Sequence, residues 1–200
     1  IGQFGTFIEI HGTSLRGNGS AVSNVSLSNV AATILFENNT YIAVIAGPSN
    51  AQAGDVLVIS SSGATVTLVN GWVYVTPANI VSVAPNFGQI GTLVVISGTD
   101  LLGGGSSIIS VKLNSTEVES IVSSSNTSVV FIAAAGMSGV GDVRLVADSF
   151  AETTLVNGWT YLDEGVIQTV TPNNGQFGTR VRLSGLRLFG GGTGIVNVTF

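Results

Sequence analysis

Asp55 and Asp142 each follow a glycine where an apolar run begins, and a carboxylate so placed is either a calcium ligand or a turn former. Calcium takes about six to eight oxygens, and no second acidic cluster accompanies either residue, so the Asx-type turn is the expected role. The paired carboxylates Asp163-Glu164 are the better cation candidate, although two carboxylates alone do not make a metal site. His11 is the only histidine, and no serine has a general base beside it, so no nucleophile, cofactor or catalytic residue is expected. The triplets Gly103–Gly105 and Gly190–Gly192 invite a phosphate-loop reading. Neither is followed by Gly-Lys-Ser/Thr or by a helix signal, so flexible loops are the expected reading.

The remaining chemistry is acceptor chemistry. Asn-x-Ser/Thr begins at Asn18, Asn24, Asn38, Asn114, Asn126 and Asn197. These are candidate N-glycan sites, with plain polar loop residues as the alternative, which holds in a prokaryotic host.

The elements that carry these residues are set by a repeat. GQFGTFIEIHGTSL (Gly2–Leu15), GQIGTLVVISGTDL (Gly88–Leu101) and GQFGTRVRLSGLRL (Gly175–Leu188) stand 86 and then 87 residues apart. TLVNGWVY (Thr67–Tyr74) returns as TLVNGWTY (Thr154–Tyr161), and Gly54-Asp55-Val56 as Gly141-Asp142-Val143. A fixed period of this length means an array of like modules. After each Gly-Thr, one parity is always apolar or small: Ile8, Ile10, Gly12; Val94, Ile96, Gly98; Val181, Leu183, Gly185. The other parity shares no chemistry: Phe7, Glu9, His11; Leu93, Val95, Ser97; Arg180, Arg182, Ser184. Alternation with one constant face predicts a half-buried β-strand. Leu93 and Val95, apolar on that variable face, form a candidate contact face, with a covering loop as the alternative.

The second repeat predicts strands at Ile80–Ala84, Thr92–Ser97, Ile108–Leu113, Val118–Val122, Ser128–Ala133, Asp142–Ala147 and Thr153–Tyr161. The first predicts them at Ala21–Leu27, after a flexible Arg16–Ser20 segment, then at Tyr41–Ala46, Asp55–Ser60 and Val66–Tyr74. Short strands with a turn signal every 8–12 residues or so predict an antiparallel sandwich. Trp72 with Tyr74, and Trp159 with Tyr161, share one parity and are expected in the cores. Asn70-Gly71 and Asn157-Gly158 resemble hairpin turns, but too few residues follow for a return strand, so a bulge in the last strand is expected.

Charged residues make up 8% of the chain, against about 25% in ordinary domains. The net charge is −5 with Lys112 as the single lysine, which argues against nucleic acid as a partner. No apolar run approaches the ~18 residues of a membrane helix, so no membrane insertion is expected within this segment. Cysteine is absent, which excludes disulfides and thiolate metal sites. Both ends fall inside a repeat, so the chain reads as a window on a longer polypeptide. The expected divisions are 1–78, a module lacking its first strand; 79–163, complete; and 164–200, the opening of a third. The short linkers Val75–Asn79 and Leu162–Gly165 should bring neighbouring modules into contact.

Pro85-Asn86-Phe87-Gly88, Gly91-Thr92, Val94, Ile96, Gly98 and Leu101 together resemble the IPT/TIG domain. Pro172, Gly175, Gly178, Thr179, Val181, Leu183, Gly185 and Leu188 repeat the match, and the first copy joins it from Gly5. The resemblance implies an all-β chain of tandem immunoglobulin-like (E-set) antiparallel β-sandwiches. Such modules occur in cell-surface receptors, extracellular repeat proteins, polysaccharide-acting enzymes and some transcription factors. The expected role is a non-catalytic, extracellular or cell-surface, N-glycosylated array forming a rod, fibre or adhesive stalk. Its partners would be like modules, in the same chain or a filament. The alternatives are a carbohydrate- or protein-binding surface module, or an accessory domain of a larger enzyme. Exposed aromatics in the glycine-rich loops would favour the binding module; Phe189 is the only one, so the sequence leans away from it.

Overall fold

The computed structural model describes residues 1–200, and its regular elements are all strands. No helix is long and apolar enough to cross a membrane. The first repeat contributes β1 (Phe7–His11), β2 (Val22–Leu27), β3 (Val30–Ala31), β4 (Thr33–Glu37), β5 (Tyr41–Ile45), β6 (Gln52–Ser60) and β7 (Thr65–Tyr74). They form two sheets, β1-β5-β4 and β3-β2-β6-β7. The second repeat adds β8 (Asn79–Ala84), β9 (Phe87–Gly88), β10 (Leu93–Thr99), β11 (Ile108–Leu113), β12 (Thr116–Glu117), β13 (Ser120–Ser124), β14 (Ser128–Ile132), β15 (Gly139–Ala147) and β16 (Glu152–Tyr161). Its sheets are β13-β14-β10-β8 and β12-β11-β15-β16-β9. The third repeat supplies one antiparallel pair, β17 (Val166–Thr171) with β18 (Arg182–Leu186).

The repeated motif has a steric explanation. Gly2, Gly88 and Gly175 each lie against the threonine four residues on, Thr6, Thr92 or Thr179, so closely that a Cβ would overlap its side chain. That threonine's Oγ1 accepts a hydrogen bond from the backbone N of Gln3 (2.9 Å), Gln89 (3.1 Å) or Gln176 (3.0 Å). Gly5, Gly91 and Gly178 turn the chain at φ +89, +82 and +88°, a region open chiefly to glycine. Gly12, Gly98 and Gly185 leave room for the Leu15, Leu101 and Leu188 side chains. Gly-Gln-x-Gly-Thr is thus a self-capped turn that aims the following strand into the sandwich.

Val94 and Ile96 are fully buried, as is Phe131 on the paired strand β14. Trp159 and Tyr161 meet edge to face at 5.6 Å and 82°, and Trp72 and Tyr74 repeat the geometry at 5.7 Å and 83°. The second core joins 17 buried residues and the first 11. Val118, Ala147 and Ala151, where the first repeat has Ala32, Ser60 and Ala64, supply half of the difference. Strand β8 accounts for the other half: it pairs with β10, buries Ile80 and covers Val94 and Ile96, whereas no strand pairs with the corresponding edge of β1. Ile8 and Ile10 are therefore only half-buried, and with Leu15, Val58, Leu68 and Trp72 they line an open groove.

Asn70 and Asn157 lie inside continuous strands at positive φ, opposite register shifts at Gly54/Val56 and Gly141/Val143, so both sites are the expected bulges. Two expectations need correction. The predicted strand Val118–Val122 is formed only from Ser120, as part of β13; Val118 lies in the connection from β12 and donates to the Val111 carbonyl. Strand β4 is an addition to the predicted set, its alternation being broken at the Ile34/Phe36 bulge. Arg16–Ser20 is also not loose: Arg16 forms a two-pronged ion pair with Glu37, and Ser60, Ser61 and Ser62 bond the loop. The hydrogen bond from Arg16 holds the Glu37 carboxyl below the usual carboxylate range.

Candidate functional site

The joint between consecutive repeats recurs from the first pair of repeats to the second. On its near side lies the Gly-Gln turn, tied to the exit strand. Gly2 N donates to the Val73 carbonyl and Val75 N to the Gly2 carbonyl, both at 3.1 Å, while the buried Gln3 side chain donates to the Val75 carbonyl. On the far side lies the triplet loop of the second repeat. A Cβ on Gly104, at φ +89°, would stand 3.4 Å from Gly2 Cα and 3.5 Å from Val75 Cγ2. The loop expected to be flexible is packed against its neighbour.

The turn between β15 and β16 completes this joint. Glu152 N donates to the Phe4 carbonyl at 2.9 Å, and Phe7 N to the Ser149 carbonyl at 3.3 Å. Phe7 meets Phe150 edge to face at 6.2 Å, and Gly5 packs so closely on the Phe150 carbonyl that a Cβ would overlap it. Thr153 Oγ1 donates to the Ala78 carbonyl in the linker. Asp148 clasps the triplet loop from within its own repeat, accepting from Ser106 N at 2.9 Å and from the hydroxyls of Ser106 and Ser107. These bonds, the Ser106 hydroxyl first, hold its carboxyl below the ordinary value.

The second joint reuses the parts one period on. A Cβ on Gly191, at φ +88°, would meet Leu162 Cδ1 at 2.7 Å and Phe87 Cε2 at 3.5 Å, and Leu162 is the counterpart of Val75. Gln89 Oε1 accepts from Gly165 N at 3.1 Å, and its amide nitrogen lies against Gly190. The glutamine of the motif thus ties its turn to the linker at both joints, a role the sequence reading did not assign. Its spacing within the repeat was the available signal.

A second candidate is the outer face of the sheet that holds β1 or β10. Leu93 is 55% exposed there, while Val95 is half-buried between Ala84 and Val130. On the first repeat this face carries aromatic rings. His11 tilts on Tyr41 at 5.1 Å, Phe36 on Tyr41 at 5.9 Å, and Tyr41 Oη donates to Glu9 Oε1 at 2.8 Å. That bond pushes the Tyr41 hydroxyl above its ordinary pKa. Phe36 is 54% exposed, so an accessible aromatic cluster stands on a sheet, away from the glycine-rich loops in which Phe189 is the only aromatic.

The acceptor asparagines are not equivalent. Asn18, Asn24, Asn126 and Asn197 are exposed. Asn38 is half-buried, its Oδ1 accepting from Thr40 N and Tyr41 N at 2.8 Å each. Asn114 is half-buried with its amide against Gly141, so a sugar there has least room. Asp55 and Asp142 each accept from the bulge nitrogen, Asn70 N or Asn157 N, at 2.8 Å, which is the turn-forming role. No group of three or more His, Asp or Glu side chains gathers anywhere, Asp163-Glu164 included. Ser110 donates to Glu117 at 2.8 Å, but His11 joins neither and no relay forms.

Residues 78–161 match the family model of the IPT/TIG domain. No curated protein matches the chain. Among solved structures it is similar to the plexin A4 full extracellular region, at 18% identity and TM-score 0.49 over 85% of this chain and 15% of that one. It is also similar to SGBP-B of a Bacteroides ovatus mixed-linkage glucan utilization locus, in complex with a mixed-linkage heptasaccharide (16% identity, TM-score 0.34, 83% and 43% covered). A third is SGBP-B from a complex xyloglucan utilization locus in Bacteroides uniformis (17% identity, TM-score 0.36, 82% and 48% covered). The chain spans less than half the length of each of these.

Proposed function

The second repeat belongs to the IPT/TIG family, and from that premise we propose that the chain is a structural segment of an extracellular repeat array, divided at 1–78, 79–163 and 164–200. It acts as a semi-rigid spacer in a rod, fibre or stalk. The observation that carries this reading is the recurrence of one joint: triplet loop on exit strand, with Val75 and Leu162 in matching places. Short linkers and a repeated docking contact favour a fixed direction from one module to the next. The acceptor asparagines, Asn18, Asn24, Asn126 and Asn197 foremost, are N-glycan sites on this reading. No catalytic role is assigned. Small-angle scattering of residues 1–200 tests the spacer: an elongated particle of fixed length is expected, and a compact or broadly distributed one refutes it. Intact mass of native-source protein before and after deglycosylation tests the sugars, which an unshifted mass excludes.

A second reading, recognition of a carbohydrate or protein at the outer face of the first repeat, is favoured by the Phe36, Tyr41 and His11 rings beside Glu9. Rings with an adjacent carboxylate suit the apolar faces and hydroxyls of a sugar. Oligosaccharide titration monitored at the Tyr41 and His11 resonances tests it. Binding abolished by Phe36→Ala is expected on this reading, and no saturable shift refutes it.

A further inference from the structure

The centre of the triplet loop is glycine in the second and third repeats and asparagine in the first. Gly103-Gly104-Gly105 and Gly190-Gly191-Gly192 correspond to Gly17-Asn18-Gly19. All three centres share a left-handed backbone, at φ +89° for Gly104, +88° for Gly191 and +62° for Asn18. Asparagine tolerates that region better than most residues with a side chain, so the backbone alone does not explain the difference. The neighbour does. Both centre glycines face the exit strand of the preceding repeat, and Val75 and Leu162, the residues they face, occupy equivalent places. At Gly104 a Cβ would stand in ordinary contact with Gly2 and Val75, at 3.4 and 3.5 Å, which leaves the longer asparagine side chain little space on that side; at Gly191 even the Cβ would crowd Leu162.

We propose that this centre residue selects the kind of junction a repeat can make: glycine locks it onto the repeat ahead, and asparagine leaves that face open. The first repeat, with Asn18 at this place, would not seat a like repeat as the second and third are seated. Any repeat ahead of it is joined by a hinge. The tripeptide Asn18-Gly19-Ser20 is also an N-glycan acceptor, so a sugar at this place would occupy the face a docked neighbour needs. The partner that fits a glycine-centred loop is correspondingly specific: a Gly-Gln turn beside a branched aliphatic exit residue.

The selector rests on the reading of the chain as a jointed array, and the test separates the two. The protein has no cysteine, so spin labels can be placed at Thr67→Cys and Thr154→Cys, exposed positions on the equivalent strands β7 and β16. Distances are measured by pulsed electron resonance on the 200-residue chain made without glycosylation. The parent should give one narrow distribution. Gly104→Asn, which makes the second loop copy the first, should lose it while the second repeat stays folded by its Trp159 signal. Val75→Glu should open the joint from the other side, leaving the loop unaltered. Gly63→Asn is the control, because Gly63 has φ +85° with nothing within 4 Å, in a hairpin of the first repeat, and should keep the narrow distribution. A narrow distribution retained in folded Gly104→Asn and Val75→Glu overturns the selector and spares the array. A broad distribution in the parent overturns both.

Discussion

Replacing Thr6 by valine isolates what the Gly-Gln-x-Gly-Thr turn contributes. Thr6 and Gln3 are both buried, and Thr6 Oγ1 accepts the Gln3 backbone N–H at 2.9 Å. Valine keeps the shape and removes the acceptor, leaving a buried donor unsatisfied at about 1–3 kcal/mol. The methyl that replaces the hydroxyl returns about 0.8 kcal/mol of apolar burial, so the net loss is about 0.2–2.2 kcal/mol. For a module of this size each kcal/mol lowers Tm by about 4–8 °C. Thr6→Ser keeps the oxygen and loses only a methyl, so it should be the milder change. The assay is denaturant unfolding followed by amide hydrogen exchange, which reads the first repeat separately from the second. The reasoning fails if Thr6→Val is as stable as the parent, or if Thr6→Ser falls as far as Thr6→Val.

Gly98→Ala should detach β8, because its Cβ would overlap the Asn79 carbonyl as well as the Leu101 side chain; a loss of about 1–3 kcal/mol in the second repeat is expected, with early exchange at Ile80 and Val83. Tyr74 and Tyr161 bury hydroxyls that find no protein partner, so Tyr74→Phe and Tyr161→Phe should be neutral or stabilising in urea titrations. Burial raises both hydroxyl pKa values above 10.0 in the folded state, so their stability is intact below pH 10 and falls as pH rises past it; the double phenylalanine variant should lose less in alkali. Asp148 behaves oppositely. Its folded pKa lies below the ordinary 3.8, so its clasp on the triplet loop holds above that value and is lost as pH falls through the depressed one. Exchange at Ser106 and Ser107 should accelerate in acid, and Asp148→Asn should flatten that dependence.

The sequence carried the period, the buried parity of β10 and the core aromatics because each is a local pattern copied more than once. Val94 and Ile96 against Leu93 could be sorted by alternation alone, and Asn70-Gly71 could be rejected as a hairpin by counting residues. The joint was not legible for the opposite reason. Gly104 touches Val75 and Gly2, and Gly5 touches Phe150, pairs far apart in the chain that nothing in a one-dimensional pattern brings together. A glycine triplet without that partner is indistinguishable from a slack loop. The aromatic cluster was missed similarly, since Phe36 reaches Tyr41 across a bulge in β4 that breaks the alternation used to find strands.

The division between constant and variable positions bears on where repeats can differ in what they do. Turn, strand and triplet loop include glycines at which a Cβ would overlap a neighbour: Gly2 under Thr6, Gly98 under Leu101, Gly191 on Leu162. Substitution there moves the backbone or opens a joint. Beyond Phe7, which packs on Phe150 at the joint, the outer sheet face lacks such crowded glycines, and its chemistry changes from Phe7, Glu9 and His11 to Leu93, Val95 and Ser97, then to Arg180, Arg182 and Ser184. An aromatic and acidic face, an apolar face and a basic face are thereby held on one backbone plan at a fixed period. A role that distinguishes one repeat from the next therefore belongs on that sheet. Grafting Phe36, Tyr41, His11 and Glu9 onto matching positions of the second repeat should move any ligand they hold without disturbing the joints, whereas grafting the Arg16–Ser20 loop in place of Leu102–Ser106 should alter the joint and leave binding untouched.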